Sequence, residues 1–287
     1  MAEEPNRIFN LEGMHEPHMF MIDSSSGCEV SPMRLILEKI TIPSQLGRIS
    51  RPRPLTLLRE SLNSCTSTVI NGRAGSGKTT LAADFASNCG RAVAWYKVDS
   101  PDGELRVFFQ YLVASIRQAR PRFGEKNLLP LVSTTDPDRV SLLSEAFIYE
   151  LLQGKHQPLL IVIEDLHLIC DAPWVVTFFR RLLPLLPRDV HVLITSRTLP
   201  PAPLWRMRSK QSLSVIDDGT LAFTRPEAVE LFQSYGLSRQ QASIALDHTH
   251  GRAATLDACA ESLSQAGSST SGLTAAKTPI ETLGRAY

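Results

Sequence analysis

Between a β-branched run, Thr68–Ile70, and a stretch with helical apolar spacing (Leu81, Ala82, Phe85, Ala86) lies Gly72-Arg73-Ala74-Gly75-Ser76-Gly77-Lys78-Thr79. This fits G-x-x-x-x-G-K-[ST] at every fixed position, and it does so between a strand and a helix, the context the pattern requires. The glycines allow a tight turn whose successive N–H groups point inward at phosphate oxygens, and the following helix adds the positive end of its dipole. Lys78 supplies a point charge to the β- and γ-phosphates, and the Thr79 hydroxyl can ligate Mg²⁺. A chance Gly/Ser loop is the bland alternative, and the strand–loop–helix order weighs against it. Gly72 to Thr80 is therefore expected to wrap the phosphates of ATP or ADP.

The chain around this loop alternates. Ala92–Trp95 reads as a strand, and Ser100-Pro101 opens a helix with Leu105, Phe108, Phe109, Leu112, Val113 and Ile116 on one face. Asp136-Pro137 opens another, with Val140, Leu143, Phe147 and Leu151 inward. Leu159–Ile163 is an unbroken apolar run of strand length, as expected of a parallel strand covered on both faces. A helix carrying Val175, Phe178, Phe179, Leu182 and Leu183 leads to a further strand, Val190–Thr195. The expected fold class is α/β: a P-loop NTPase parallel sheet with helices on both faces, followed by a small, mostly helical second domain.

The predicted boundaries follow texture. Residues 1–35 read as a flexible arm, in which Met14, His15, His18, Met19 and Met21 have no spacing that fixes a metal geometry. Residues 36–200 form the nucleotide-binding domain, closed by the Pro-rich Leu199-Pro200-Pro201-Ala202-Pro203. Residues 201–264 form a small, mostly helical second unit, with one or two short strands around Leu213–Ile216 and Leu221–Phe223 and then helices opened by Thr224/Glu227 and Ser238/Gln241 capping boxes. Residues 265–287 are rich in Ser, Gly, Thr and Ala and read as a linker or disordered tail.

Composition removes several classes. With 43% hydrophobic and 21% charged residues over 287 positions the chain is ordinary globular material, and a net charge of +1 gives no bulk argument for nucleic acid or membrane binding. Cys28, Cys65, Cys89, Cys170 and Cys259 are scattered, odd in number and never in a C-x-x-C pair, so buried free thiols are expected rather than disulfides or zinc. The acidic start, Met-Ala-Glu-Glu-Pro, is unlike a secretory signal, and no apolar run approaches the roughly 18 residues of a membrane span. A soluble, cytoplasmic protein is expected.

Two further elements complete the candidate site. Glu164-Asp165 ends the Leu159–Ile163 strand; one carboxylate there can hold Mg²⁺ while its neighbour orients or deprotonates the attacking water. Solvated acids at a strand end are the plain alternative, outweighed here by the phosphate loop. Arg197 follows the Val190–Thr195 strand, and strand carboxyl ends converge on the ligand crevice of such sheets, so its donor fork can reach a γ-phosphate; an ordinary surface arginine carries comparable weight on spacing alone.

These residues resemble the STAND class of signal-transduction ATPases, in particular the nucleotide-binding module of the large MalT-like, LuxR-type transcription regulators. The likeness spans about Ile36 to Leu263. It rests on the loop in Ile70–Leu81, on Val93-Ala94-Trp95-Tyr96 with Asp99 and Asp102, on Ile163–Ile169, on Ile194-Thr195-Ser196-Arg197, on Leu221-Ala222-Phe223-Thr224 and on Thr249-His250-Gly251. The resemblance implies a sensor strand between the phosphate-loop strand and the acidic-pair strand, and a helical lid over the nucleotide. It also implies an adenine pocket near Ile49 to Arg53, with Ile49, Arg51 and Gly251 among the nucleotide contacts. In such proteins the ADP form is closed and inactive, and exchange for ATP, usually with an inducer, releases the protein to oligomerise. Three departures stand out: Glu164 where relatives commonly carry aspartate, Ala253 where they often place proline, and no helical-repeat sensor or DNA-binding helix-turn-helix within these residues.

The expected site is thus Lys78, Asp165 and Arg197 as catalytic groups, Thr79 and Glu164 as Mg²⁺ ligands, and Gly72–Thr80, Ile49, Arg51, Arg197 and Gly251 as ATP/ADP contacts. The expected function is a nucleotide-dependent regulatory switch with slow Mg²⁺-dependent ATP hydrolysis, a homo-oligomer in the ATP state or a regulatory protein partner, and no direct DNA or membrane contact. Two alternatives stand beside it: an AAA+-like ring motor, for which Arg180 or Arg181 would serve as trans-acting finger, and a hydrolysis-deficient binding module. His167 is read either as a contact to water near the site or, with equal weight, as a packed or capping histidine, and His248 and His250 are read as capping or dipole histidines before metal ligands.

Overall fold

The structure is a computed structural model that describes residues 35–44, 49–125, 128, 131, 140–153, 157–199, 201–210 and 212–269. The predicted N-terminal arm with its Met and His residues, Cys28, the Asp136-Pro137 helix start and the tail beyond Ser269 lie outside the described residues.

Five parallel strands form one sheet: β1 (Ser67–Asn71), β2 (Ala92–Lys97), β3 (Leu159–Glu164), β4 (Val190–Ser196) and β5 (Leu213–Ile216), in the order β2-β3-β4-β1-β5. The sensor strand β4 therefore lies between β1 and β3, as the resemblance implied. All six residues of β3 and all seven of β4 are buried, which explains their unbroken apolar reading. Leu213–Ile216 is not part of a separate lid sheet; it adds to the free edge of β1, with Ser67 opposite Leu213 and Ile70 opposite Ile216. Leu221–Phe223, expected as a strand, instead closes a short helix, because the Asp217 carboxylate caps the turn by accepting the Thr220 N–H and hydroxyl.

The helices divide by face: α1 (Pro52–Ser64) and α2 (Lys78–Asn88) lie on one, and α3 (Leu105–Arg117), α4 (Val140–Leu152) and α5 (Pro173–Leu182) on the other. Alternation along each strand supplies both cores. Trp95, Leu160 and Val162 pack with Leu55, Leu58, Leu81 and Phe85. Their neighbour Tyr96 turns the opposite way, onto Phe108, which with Phe109, Phe147, Trp174, Phe178 and Phe179 forms a continuous aromatic cluster with ring centroids 4.8–6.4 Å apart. No helix among the described residues is long and apolar enough to cross a membrane.

After β5 come α6 (Asp218–Leu221), α7 (Arg225–Ser234), α8 (Arg239–Thr249) and α9 (Ala253–Ser269). Both expected capping boxes form, at Thr224/Glu227 and Ser238/Gln241. These helices share their own small core of Ala228, Leu231, Phe232, Ala242, Ala245, Leu256 and Ala260. The last helix runs to Ser269, into the stretch read from composition as the start of a linker.

At the amino end of the sheet a buried polar chain ties three elements together. His191 Nδ1 lies 3.2 Å from the Cys65 carbonyl and Nε2 lies 2.9 Å from Thr68 Oγ1, which in turn meets Ser61 Oγ at 2.5 Å. A neutral ring satisfies every member: Nδ1–H donates to Cys65, Nε2 accepts from Thr68, and Thr68 accepts from Ser61. Burial, with the Arg91 charge adding to it, pushes the imidazole pKa down from 6.5 to about 4. Because the folded value lies below the unfolded one, the contribution is fully present above pH 6.5 and is lost as pH falls toward 4. We expect the parent to lose about 3 kcal/mol across that window that His191→Gln does not lose, from 1.36 kcal/mol per pK unit. Denaturant unfolding of both proteins at pH 7, 5.5 and 4 checks this; parallel pH profiles would contradict it.

Candidate functional site

The phosphate loop begins where β1 ends, and the Gly72 N–H donates to the Ser196 carbonyl of β4 at 3.1 Å. Gly72 leaves no room for a side chain: a Cβ there would lie 2.7 Å from Ser76 Oγ and 2.8 Å from Asp218 Oδ1. Gly75 and Gly77 have φ of +74° and +87°, which side-chain-bearing residues rarely adopt. Lys78 opens α2, and its Nζ, 7% exposed as a residue, donates to the Gly72 and Arg73 carbonyls at 2.7 and 2.9 Å. Burial lowers its pKa, against the pull of Asp165. Thr79 and Thr80 follow in the first turn of α2, whose leading N–H groups have no partner within the helix.

The carboxylates stand at the end of β3. Glu164 is 3% exposed, and its Oε1 accepts the Thr79 hydroxyl in a short hydrogen bond. Burial raises its pKa, with the Thr79 bond opposing. Its second oxygen, Oε2, is buried with no hydrogen-bond partner. An orphaned buried carboxylate oxygen beside a threonine hydroxyl is a fit for Mg²⁺, a hard cation that takes one or two protein oxygens and completes its shell with phosphates and water. Among the described residues there is no cluster of three or more His, Cys, Asp or Glu that would hold a metal alone.

Asp165 turns out of the strand with φ of 58°, and its N–H donates to Thr195 Oγ1 at 3.0 Å. Its Oδ1 lies 3.7 Å from His167 Nδ1. Burial lowers the His167 pKa although Asp165 opposes it, so a neutral imidazole sits beside the carboxylate. Arg197 is exposed directly after β4, and its positive charge opposes protonation of both Lys78 and His167. Lys78, Thr79, Glu164, Asp165 and Arg197 thus meet at one end of the sheet.

The remaining predicted contacts stand at the lid. Ile49 packs against the lid core. Arg51 is buried, stacks on Phe223 with its guanidinium carbon 4.0 Å from the ring centroid, and pairs with Glu227 at 3.3 Å. Arg53 joins the same carboxylate oxygen and donates to the Thr220 and Ala222 carbonyls. Gly251 lines a pocket of about 130 Å³ together with Arg73, Ser76, Asp218, Ala222 and Arg252. Arg181, one candidate arginine finger, is paired with Glu145. His250 caps α8 in the left-handed conformation.

Sequence reasoning missed three residues here. Asp218 accepts the Arg73 backbone N–H at 3.0 Å and its Nε at 2.9 Å. Arg252 donates to the Ala74 carbonyl, and Glu227 gathers Arg51 and Arg53. Only Glu227 carried a local signal, its capping box; the others contact the loop from about 145 and 178 positions away in the chain.

A family profile described as an AAA ATPase domain matches residues 51–195, about half of the chain. The chain belongs to this family of P-loop ATPases. Over 241 residues it is 32% identical to the HTH-type transcriptional regulator MalT of Serratia proteamaculans (strain 568), covering 79% of this chain and 26% of the regulator. A solved structure of a Signal Transduction ATPase with Numerous Domains (STAND) protein with a tetratricopeptide repeat sensor, from Pyrococcus horikoshii, superposes with a TM-score of 0.56 at 20% identity, over 88% of this chain and 33% of that one. The chain spans about a quarter of the regulator's length and a third of the archaeal protein's. Within the AAA ATPase family its sequence is similar to the nucleotide-binding part of a MalT regulator, and its fold is similar to that of a STAND protein.

Gly251 has φ of +73°, and a Cβ would stand 2.6 Å from the Phe223 carbonyl oxygen and 2.8 Å from its nitrogen, both backbone atoms. The Phe223 N–H donates to the Gly251 carbonyl at 2.8 Å, so neither strand of this contact can move freely. Gly251→Ala is expected to cost about 2–4 kcal/mol through strain plus clash. A thermal unfolding midpoint within a degree of the parent would contradict that.

Proposed function

We propose that the chain is an ATP/ADP-binding, STAND-type regulatory switch that hydrolyses ATP slowly with Mg²⁺ and acts in transcriptional or signalling control. The observation that carries this reading is the convergence of the Lys78 ammonium, the Thr79–Glu164 pair, Asp165 and Arg197 on the rim of a loop shaped for phosphates. Lys78 and Arg197 neutralise phosphate charge, and the α2 N-terminus and loop amides orient it. Thr79 and Glu164 would hold a Mg²⁺ ion, which would supply neutralisation of phosphate charge. Asp165, beside a neutral His167, is placed to orient water and take its proton.

The lid supports a switch. It contacts the loop directly at Ala74 and Gly75, and the Arg51–Glu227 pair joins the start of α1 to α7, so nucleotide and lid position are read by the same segments. Release of the lid in the ATP state, with homo-oligomer formation or capture of a regulatory protein, follows from this reading, as does a cytoplasmic setting. A ring motor has less support, since Arg181 is engaged by Glu145 in its own chain.

Lys78→Ala is expected to weaken ADP and ATP binding by about 2–4 kcal/mol, the scale of removing one partner of a desolvated charge pair. Unchanged affinity by calorimetry would sink the phosphate assignment. Asp165→Asn should keep Mg-ATP binding while lowering phosphate release by about 10²-fold or more, because the amide cannot take a proton. Hydrolysis at the parental rate and equal occupancy would instead point to another water-positioning group, with His167 the first to substitute. Mass spectrometry of nucleotide released from purified protein tests the switch itself: retained ADP is expected.

A further inference from the structure

The lid does more than lie over the loop; it grips two successive carbonyls of it. Arg252 donates to the Ala74 carbonyl from Nε at 3.0 Å and from Nη2 at 2.6 Å. Two residues on, the Ala254 N–H donates to the Gly75 carbonyl at 2.9 Å. The Arg252 guanidinium covers the outer side of the loop, with Nε 3.5 Å from where a Gly75 Cβ would stand. Arg252 is itself held: Gly251, fixed against Phe223, directs it, its N–H bonds to Thr249, and its carbonyl accepts the Leu256 N–H in the first turn of α9.

A planar trans peptide points its C=O and its N–H in opposite directions. Holding the Ala74 carbonyl outward therefore turns the Gly75 N–H inward, and holding the Gly75 carbonyl outward does the same for the Ser76 N–H. The latter can be followed directly. Ser76 N–H makes a long 3.3 Å contact with the Arg73 carbonyl, the same oxygen that Lys78 Nζ meets at 2.9 Å, so it faces the side of the loop where the lysine charge sits. No carboxylate pairs with Arg252 among the described residues, so its charge also adds to the positive potential at the loop.

We propose that Arg252 is a positioning residue for phosphate binding, holding the Ala74–Gly75 peptide so that its N–H faces the β-phosphate of a nucleoside diphosphate. This rests on the nucleotide-binding reading above and adds to it a residue outside the phosphate motif. It makes the diphosphate affinity of the loop depend on the lid being docked, and by linkage makes bound diphosphate hold the lid in place.

The test compares ADP with adenosine, which carries the base and ribose but no phosphate. Arg252 is exposed, so its substitution leaves the packed core intact. In Arg252→Ala, ADP affinity measured by calorimetry should fall roughly tenfold, the scale of one charge-assisted hydrogen bond, while adenosine affinity measured by competition stays within about twofold. Arg252→Lys, which keeps a charge and a donor but not the planar fork, should fall between the two. It reads the same ratio if the alanine variant does not fold. ADP binding equal to the parent's, or an equal loss for ADP and adenosine, overturns the proposal and leaves Arg252 a structural tie of the lid. A parent protein that binds no ADP, shown free of nucleotide beforehand, removes the nucleotide-binding reading itself, and this inference with it.

Discussion

Everything reactive in this molecule depends on the parallel register of β1, β4 and β3. Asn71 stands opposite Ser196, and Ile163 opposite Ile194, so the three strands finish nearly level. Because they run the same way, their carboxyl ends open onto one crevice. The phosphate loop leaves β1, the acidic pair leaves β3 and Arg197 leaves β4 within reach of each other. The Gly72–Ser196 backbone hydrogen bond carries the β1–β4 pairing one step beyond the strands and sets the loop's first turn. The short Thr79–Glu164 bond then crosses over β4 and ties the start of α2 to the end of β3. At the far end of the sheet the His191–Thr68–Ser61 chain pins the same β1–β4 pair to α1. A one-residue slip between β1 and β4 would break the polar contacts at both ends at once and turn every buried side chain of one strand to the wrong face.

The lid is joined to this frame by a set of directional polar contacts. One oxygen of Glu227 accepts the Thr224 N–H and hydroxyl, Arg51 and Arg53. Burial alone would raise that carboxyl's pKa, but the Thr224 amide and Arg51 overcome it and hold the group below the usual range. Such a buried ion pair adds little net stability over an apolar substitute, since desolvation offsets much of the attraction. Its effect is directional. A capping carboxylate satisfied by two arginines from the approach to α1 allows one orientation of α7, and an apolar contact would tolerate several. The phosphate loop receives the lid in the same manner, through Arg252 and Asp218, with donors and acceptors whose geometry is specific.

The part of the structure legible in the sequence is the part governed by local pattern. The glycines of the loop, the β-branched run before it, the continuous apolar β3 and the 3.6-residue spacing of α3 and α5 each constrain the chain within a dozen residues, and each appears in place. Of the strand order, only the place of β4 between β1 and β3 came from the family resemblance, because spacing carries no information on which strands pair. Leu221–Phe223 went astray for a physical reason: three apolar residues suit a strand, but Asp217 captures the Thr220 N–H first and winds the chain into α6. Leu213–Ile216 was recognised as a strand and placed with the lid, since nothing local tells an edge strand of the main sheet from one beyond a Pro-rich stretch. Arg252 and Asp218 left no trace at all, because a side chain bonding a distant backbone carbonyl or amide needs no pattern around it.

Glu164 shows how a departure from the family pattern can be absorbed by the site. The family resemblance implies the shorter aspartate there, and the Glu164 carboxylate reaches the Thr79 hydroxyl. A hydroxyl has one hydrogen and two lone pairs. Its hydrogen is spent on Glu164 Oε1, which leaves the lone pairs of Thr79 Oγ1 for a cation. Oε2 of the same carboxylate keeps both of its own, buried and without a partner. Hydrogen bond and metal ligation therefore draw on different valences of the same two groups and do not compete. The longer acid can orient the threonine through one oxygen and face the metal position through the other.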